Sequence, residues 1–511
     1  MRLQELVLAA GAVCACGEGD PEITGISADS TQVCAGGMYL CIRGLHKDGK
    51  NYIGEALKKG AAAVLLSEDE TAPPLPAGVF LLRHRNVRVA YARLMHAWFG
   101  YPSRKLRLIA VTGTNGKTSV THMLRAILEN ALFRCGLIGT VGCESAGRRL
   151  ETDSSDPLAN LTTPDPPQLY RALAEMVRDG VDYAILEASS HALALGKLEP
   201  LTFEAAVFTN LTPEHLDFHK TMEAYAAAKA TLFEKSRLSV INADDPAADV
   251  MRAHAAGRWI RCGIRSADAD YRAEEIELLA EQGVRYLIRS ECRNLRLFCP
   301  IPGAFTVMNS MQAAVTALEL GCTPGNVKEG LAAASPVRGR MERVRLGLGA
   351  DFSVLIDYAH TPDALENLLR MSRRLCREGG RIVLLFGCGG DRDRGKRAVM
   401  GRIAAALADQ VILTSDNSRS EDPEEIIAQI RAGMPADFPV RILPDRREAI
   451  RSAILLAGRN DLILLAGKGH EEYEINQNGR QPFSERAIVK EAFAERLRTE
   501  QRKETGAETE S

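Results

Sequence analysis

Apolar positions in this chain come in short runs that end abruptly on polar residues. From Leu106 onward, Leu108–Val111 stops before a glycine turn and Tyr183–Leu186 before Glu187. Ala205–Phe208 stops before Thr209 and Asn210, and Ser239–Ile241 before Asn242. Such runs read as strands buried on both faces, and Gln168–Arg178, with helical spacing, lies between them. Strands alternating with helices predict a mainly parallel sheet covered on both sides. Ligands then sit beyond the strand C-termini, where these polar residues fall. A second block of the same texture starts near Pro336. Val354–Ile356, Ile382–Phe386, Val411–Leu413, Val440–Leu443 and Leu462–Leu465 read as strands, and Asp363–Cys376, Lys396–Ala408, Pro423–Ala432 and Arg446–Leu456 as helices. Before Leu106, Met38–Ile42, Ala62–Leu66 and Val79–Leu82 are separated by glycine- and proline-rich turns, and Leu3, Leu6 and Leu8 read as one face of a first helix. The pattern predicts an α/β protein of three units: 1–105, 106–336 and 337–498. A polar tail, 499–511, is expected to be disordered.

The stretch LRLIAVTGTNGKTS, Leu106 to Ser119, carries the clearest chemistry. A strand, a glycine loop and a helix N-terminus make a phosphate cradle. The glycines let backbone N–H groups approach an anion, and the helix end adds partial positive charge. Lys117 can reach terminal phosphates and the Thr118 hydroxyl can ligate Mg²⁺. Only Thr114 and Asn115 separate Gly113 from Gly116, so the loop is shorter than the usual P-loop. ATP binding is predicted; the use of the ATP is not.

Other candidates are weaker by themselves. Glu187, at a strand end, could approach the nucleotide's Mg²⁺ or cap the next helix. His215 and His219 fit neither HExxH nor a zinc spacing, and alone they read as surface-turn histidines. Lys229, in AYAAAKATLF, reads alone as a solvated lysine. In the third unit, GCGGDRDRGKR (387–397), SDNSR (415–419) and AGKGHEE (466–472) each follow a strand. Three polar, partly basic loops on one sheet edge predict a site for an anionic, zwitterionic ligand.

Composition narrows the setting. With Lys+Arg 64 against Asp+Glu 66 and a net charge of −2, nothing calls for a nucleic-acid or acidic-membrane partner. No apolar run reaches the ~18 residues needed to span a bilayer. The start MRLQELVLAAGAVCACGEGD mimics a signal peptide, but Gln4 and Glu5 interrupt it. Twelve cysteines lack metal-site spacing and read as reduced thiols. A cytoplasmic monomer is expected.

The ordered segments SADS, VTGTNGKTS, LTTPDP, EASSHAL, FTNLTPEHLDFH, YAAAK, GRME, DYAHTPDAL, GCGGDRDRGKR, DNSR and GKGHE span nearly the whole chain. Together they resemble the Mur ligases, ATP-dependent amide-bond-forming enzymes of peptidoglycan precursor synthesis. The resemblance implies a small N-terminal UDP-binding domain, a central P-loop-type ATPase domain and a C-terminal Rossmann-like domain that brings the amino acid. It implies ATP contacts at Gly113, Thr114, Asn115, Gly116, Lys117, Thr118, Asn309, Arg340 and Asp357, with His360 nearby. Two Mg²⁺ ions are implied, at Thr118 and Glu187 and at His215 and Lys229, the latter modified by CO₂ to a carbamate. Lys117, Glu187, His215 and Lys229 are the implied catalytic set. UDP-MurNAc-L-Ala-D-Glu would meet Ser30, Thr162, Thr163, Ser189 and Lys197. Meso-diaminopimelate would meet Arg392, Asp416, Asn417, Ser418, Arg419, Gly467 and Glu471.

Four positions depart from the family's pattern: Ser418 stands for a proline, Lys197 and Thr31 for arginines, and Thr306 for an asparagine. Arg419 is retained, which implies diaminopimelate rather than lysine as the amino acid. A lysine-adding ligase and a non-ligase nucleotide-binding protein are the competing readings.

Overall fold

The computed structural model describes residues 1–44, 47–150 and 161–507. Three large sheets carry the described residues, with a two-stranded antiparallel ribbon, Tyr473–Asn476 and Gly479–Pro482, beside them. In the first, five strands run in the order Val13–Cys16, Phe80–His84, Ala63–Ser67, Met38–Leu40, Ile26–Ser27, all parallel except the first. The initial helix, Leu3–Ala10, buries Leu3, Leu6 and Ala10, while Leu8 is 83% exposed. The expected Leu3–Leu6–Leu8 face is thus corrected. Positions 3, 6 and 10 follow the helical period, and Leu8 falls well round from Leu3 at 100° per residue.

The second sheet has eleven strands. Its middle is parallel, with Arg107–Thr112 between Tyr183–Glu187 and Phe203–Phe208. Cys135–Gly139 lies beyond the former and Ser236–Asn242 beyond the latter. After Arg107–Thr112 the chain goes first to one side of that strand and later to the other. The loops following Thr112, Glu187 and Phe208 therefore open at a topological switch point, where α/β sheets bind ligands. An antiparallel extension, Tyr271–Leu278, Val284–Arg289 and Asn294–Cys299, forms one flank of the sheet.

Helix Lys117–Asn130 follows the glycine loop and buries Val120, Met123, Leu124, Ile127 and Leu128. It packs on two helices, Ala304–Glu319 and Pro324–Ala332. Every residue of the former from Thr306 to Leu318 is buried. Several of its polar groups are paired: Thr316 Oγ1 donates to Gln312 O (2.7 Å), Gln312 Nε2 to Phe208 O (2.6 Å), and Ser310 pairs with the Tyr286 hydroxyl (2.7 Å), while Gln312 Oε1 is buried without a hydrogen-bond partner among the described residues.

The third sheet orders its strands Glu342–Arg343, Ser353–Asp357, Leu462–Ala466, Ile382–Phe386, Gln410–Leu413, Val440–Ile442, with only the first antiparallel. The three polar loops expected to form one site follow three adjacent strands of this sheet. The final helix runs Glu485–Ala507, so residues 499–507 are helical rather than disordered. Glu, Gln, Lys and Arg are good helix formers, and extending an existing helix needs no new nucleus. The remaining tail, 508–511, lies outside the described residues. All twelve cysteines are free. Among the described residues no helix is long and apolar enough to cross a membrane.

Gly330 sets the spacing beneath the glycine loop: a Cβ there would lie 2.5 Å from Ile127 Cα and 2.9 Å from Ala126 O. Both are backbone atoms that cannot step aside. Gly330→Ala should destabilise the protein by about 1–3 kcal/mol, read as a lower urea midpoint. Gly325→Ala in the same helix meets only Thr323 Oγ1 at 3.6 Å and should leave the midpoint level or raise it.

Candidate active site

The glycine loop is built by close backbone contact. Gly113 has φ +146°, and a Cβ on it would sit 1.9 Å from Thr209 Oγ1; Gly116 has φ +88°, and a Cβ there would meet Asn309 Oδ1 at 2.6 Å. Glycine is required at both, and the second contact brings Asn309 to the loop. Asn115 N–H donates to Asn210 Oδ1 (2.9 Å), and Thr114 Oγ1 lies 3.1 Å from the Tyr225 hydroxyl. Lys117 Nζ donates to the carbonyls of Gly113 and Thr114, both at 2.9 Å, and Lys229 Nζ donates to the same Gly113 carbonyl at 2.9 Å. Lys229 is 1% exposed, so the solvated reading does not hold. Burial, and then the Lys117 charge, push its amine well below the ordinary lysine range.

Glu187 closes the other side. Thr118 Oγ1 donates to its Oε2 (3.0 Å), Thr140 Oγ1 to the same oxygen (2.9 Å) and Thr140 N–H to Oε1 (2.9 Å). Its carboxylate thus faces the loop instead of capping the next helix, where Ser189 is the cap. A Mg²⁺ ion fits this donor set: a hydroxyl and a carboxylate converge beside a phosphate-binding loop. Among the described residues no cluster of three or more His, Cys, Asp or Glu could hold a metal by itself. Magnesium suits such a sparse site, since phosphate oxygens and water complete its shell.

His215 adopts φ +57° at the start of a short helix, and its ring stacks edge-on against His191 with centroids 4.7 Å apart. Burial pulls the His215 ring down to about 3 in spite of Glu214, whose Oε2 lies 3.6 Å from its Nε2. The ring is therefore neutral, the form that can ligate a metal. Glu214 also accepts from His360 Nε2 (3.0 Å). Burial alone would raise the Glu214 carboxyl; the His360 hydrogen bond, with the Lys117 charge, outweighs it and holds it well below the usual carboxylate range.

The third unit reaches into this site. Arg340 Nη2 lies 3.4 Å from Thr118 Oγ1, with its guanidinium 4.6 Å above the Tyr358 ring. Asn115 Nδ2 donates to Asp363 Oδ2 (2.9 Å). Asp357 accepts the N–H groups of Met341 (2.7 Å) and Ala359 (2.8 Å), fixing the turn that presents Arg340 and His360.

Thr162, Thr163, Ser189 and Lys197 gather on the far side of Glu187. Thr163 Oγ1 donates to Glu187 O (2.7 Å) and lies 3.1 Å from Ser189 Oγ. Thr162 Oγ1 accepts from Thr140 (3.2 Å), and Lys197 Nζ pairs with Asp165 Oδ1 at 2.6 Å. Ser30, in the first unit, donates to Glu55 (2.7 Å). Burial, and then the Asp165 and Asp29 carboxylates, push the phenol of Tyr91 in the first unit up.

The three loops of the third sheet share one framework. Asn417 Nδ2 donates to Glu471 (2.7 Å), while its Oδ1 accepts from Lys468 Nζ (3.0 Å) and Ile475 N–H (2.9 Å). Gly467 has φ +113°, and a Cβ on it would lie 2.6 Å from Asp416 Oδ2. Burial would raise Asp416, but Lys468 and Arg446 hold it down; burial and Asp416 push Glu471 up. Ser418, buried, accepts the Glu421 N–H through its carbonyl (3.0 Å). Arg392 and Arg419 both border Gly389: a Cβ there would meet Arg419 Nη1 at 3.0 Å and Arg392 Cγ at 3.8 Å. Both guanidinium groups hydrogen-bond backbone carbonyls. Neither forms an ion pair with a carboxylate among the described residues.

Sequence reasoning missed Glu214, Thr140, Lys468 and Arg446. Glu214 and Lys468 lie inside the quoted segments LTPEHLDFH and GKGHE and could have been drawn from them. Thr140 and Arg446 carry no local signal, because only the folded sheet edges bring them in.

The sequence matches the Mur ligase family, catalytic domain, over residues 22–99, the Mur ligase middle domain over 111–317, and the Mur ligase, glutamate ligase domain over 339–469. It is 42% identical over 482 residues to a UDP-N-acetylmuramoyl-L-alanyl-D-glutamate–2,6-diaminopimelate ligase of Caldanaerobacter subterraneus subsp. tengcongensis, covering 94% of this chain and 96% of that protein. A protein of the same name from Chlorobaculum tepidum is 40% identical over 510 residues, with 97% of each covered. A solved structure of a ligase of that name superposes with a TM-score of 0.64 at 32% identity, covering 97% of this chain and 99% of the other. A folylpolyglutamate synthase of Mycobacterium tuberculosis shares the fold at 19% identity and a TM-score of 0.61, over 80% of this chain and 95% of its own. Matches to three successive domains and relatives aligned nearly end to end lead to one conclusion: the chain belongs to the Mur ligase family.

Proposed function

We propose that the chain is an ATP-dependent, ADP-forming amide ligase joining meso-diaminopimelate to the γ-carboxylate of D-Glu in UDP-MurNAc-L-Ala-D-Glu. The observation that carries this reading is the meeting of two sites. The glycine loop with Glu187 and Lys229 contacts the third unit through Asn115–Asp363, Arg340–Thr118 and Glu214–His360, and that unit carries Arg392 and Arg419.

The γ-carboxylate attacks the ATP γ-phosphorus and ADP leaves, giving an acyl phosphate. Lys117 and the loop N–H groups neutralise charge that develops on the phosphate oxygens. The amine of diaminopimelate then attacks the acyl carbon, loses a proton, and phosphate is expelled from the tetrahedral intermediate. Thr118 and Glu187 would hold one Mg²⁺, and His215 with carbamylated Lys229 a second, supplying further charge neutralisation. Support for the carbamate is the buried amine: a neutral Lys229 adds CO₂ and loses one proton, becoming a carboxylate on a long arm. Thr163, Ser189 and Lys197 orient the UDP-sugar peptide, with Ser30 at its nucleotide end. Arg392 and Arg419 take the distal carboxylate of diaminopimelate and Glu471 its distal ammonium. Every group named lies on one chain, in keeping with a monomer, and the ATP and nucleotide-sugar substrates are those of the cytoplasm.

Lysine carries the distal ammonium but no distal carboxylate, so it would leave two guanidinium groups unanswered. Phosphate release with UDP-MurNAc-L-Ala-D-Glu and ATP should favour diaminopimelate over lysine by about 10⁴-fold; equal turnover would overturn the selectivity. Lys229→Ala should abolish phosphate release, and short-chain carboxylic acids should restore part of it. Full activity in that variant would remove the carbamate.

A further inference from the structure

Beyond the groups that touch substrate, one buried carboxylate faces both halves of the site. Glu214 Oε2 lies 3.6 Å from His215 Nε2, and Glu214 Oε1 accepts from His360 Nε2 at 3.0 Å. His360 belongs to the third unit. Its other ring nitrogen, Nδ1, lies 2.8 Å from Tyr358 O, so both nitrogens face acceptors and the ring is held from two sides. The His360 carbonyl in turn accepts from Lys396 Nζ at 2.8 Å. Lys396 stands near the start of helix Gly395–Leu407, directly after the loop that carries Arg392. Hydrogen bonds thus run from Glu214 through His360 to the basic loop, and the His215 ring packs against the same carboxylate at 3.6 Å. The neighbouring contact, Asn115 to Asp363, joins the third unit to the glycine loop alone.

We propose that Glu214 is a positioning residue that fixes His215 and, through His360 and Lys396, sets the basic loop against the ATP side of the site. The role rests on the ligase reading and deepens it. His215 fits the ATP half of the reaction, and Arg392 the amino-acid half. One carboxylate facing both makes placement of the second half depend on placement of the first. A carboxylate suits the task because its two oxygens can serve two rings at once. An amide keeps one acceptor and loses the charge, and alanine loses both.

The test uses the full-length enzyme with all three substrates, measuring kcat and the KM of each. Glu214→Ala and His360→Ala should each lower kcat/KM for diaminopimelate about 10- to 100-fold, with KM for the UDP-sugar peptide within about 2-fold of wild type. Because the residues act through one contact, the double variant should fall no more than about 3-fold below the poorer single one. Glu214→Gln, which keeps the acceptor for His360, should recover part of the loss. If Glu214→Ala fails to fold, the cycle of Glu214→Gln with His360→Ala carries the same reading. Losses that multiply in the double variant, or a rise in the ATP KM with the diaminopimelate KM unmoved, would overturn the proposal. A wild-type enzyme that releases no phosphate with either amino acid would remove the ligase reading instead.

Discussion

Two lysine amines, Lys117 and Lys229, converge on the single carbonyl of Gly113. That convergence governs the rest of the site. It requires the backbone to pass so close to Thr209 that only glycine fits at 113. It also places two cations side by side away from water, an arrangement that favours losing a proton from one of them. Burial lowers both amines, and it pushes Lys229, the more deeply buried, well below the ordinary lysine range. The electrostatic conflict is an ordinary one: two amines share one carbonyl, and the more buried of them is the one whose proton is held least firmly. Lys117, at the helix N-terminus, donates to the Thr114 carbonyl as well. Glu187 and the Thr118 and Thr140 hydroxyls complete a pocket with donors on one wall and acceptors on the other.

The third unit divides its cations differently. Arg446 and Arg397 are wholly buried and spent on structure. Arg446 pairs with Glu485 (2.8 Å) and donates to the carbonyls of Ser415 and Ala466, joining two of the ligand loops from beneath. Arg397 pairs with Glu421 (2.9 Å) and donates to Gly389 O, joining the third. Lys468 orients Asn417. Buried charges of this kind cost more than they return unless their geometry is good; here each guanidinium has a carboxylate and a backbone carbonyl as partners, with Arg397 Nε and Glu485 Oε2 left over among the described residues. Among the described residues, Arg392 and Arg419 hydrogen-bond only to backbone carbonyls.

Much of this was legible in the sequence. Runs ending on polar residues gave the parallel strands and put Glu187, Asn210 and the three basic loops at sheet edges. The helix Ala304–Glu319 was not legible, because a helix buried all round has no polar face to reveal its period. The antiparallel flank, Tyr271 to Cys299, alternates too weakly to stand out, with several exposed charges along Tyr271–Leu278. Single residues fared worst where contact decides the role. His215 and Lys229 look ordinary in their own segments. Only the fold shows one ring against His191 and Glu214, and the other amine sealed beneath Gly113. The resemblance to a family is what singled them out in the sequence.

The packing of the three sheets divides the molecule unevenly. One apolar core runs without a break from Leu3, Leu40 and Leu65, through Val87 and Leu94, into Leu108, Leu173 and Phe208. The first two units are thereby welded into one body, with Arg93 and Glu199 bonded across the seam. The cores of the third sheet begin at Met341 and Val344 and share no member with those ending at Ala334. Among the described residues, three large sheets thus fall into two apolar bodies that meet near residues 335–340. Arg340 lies on that junction, so the residue that reaches Thr118 also sits where one core gives way to the next.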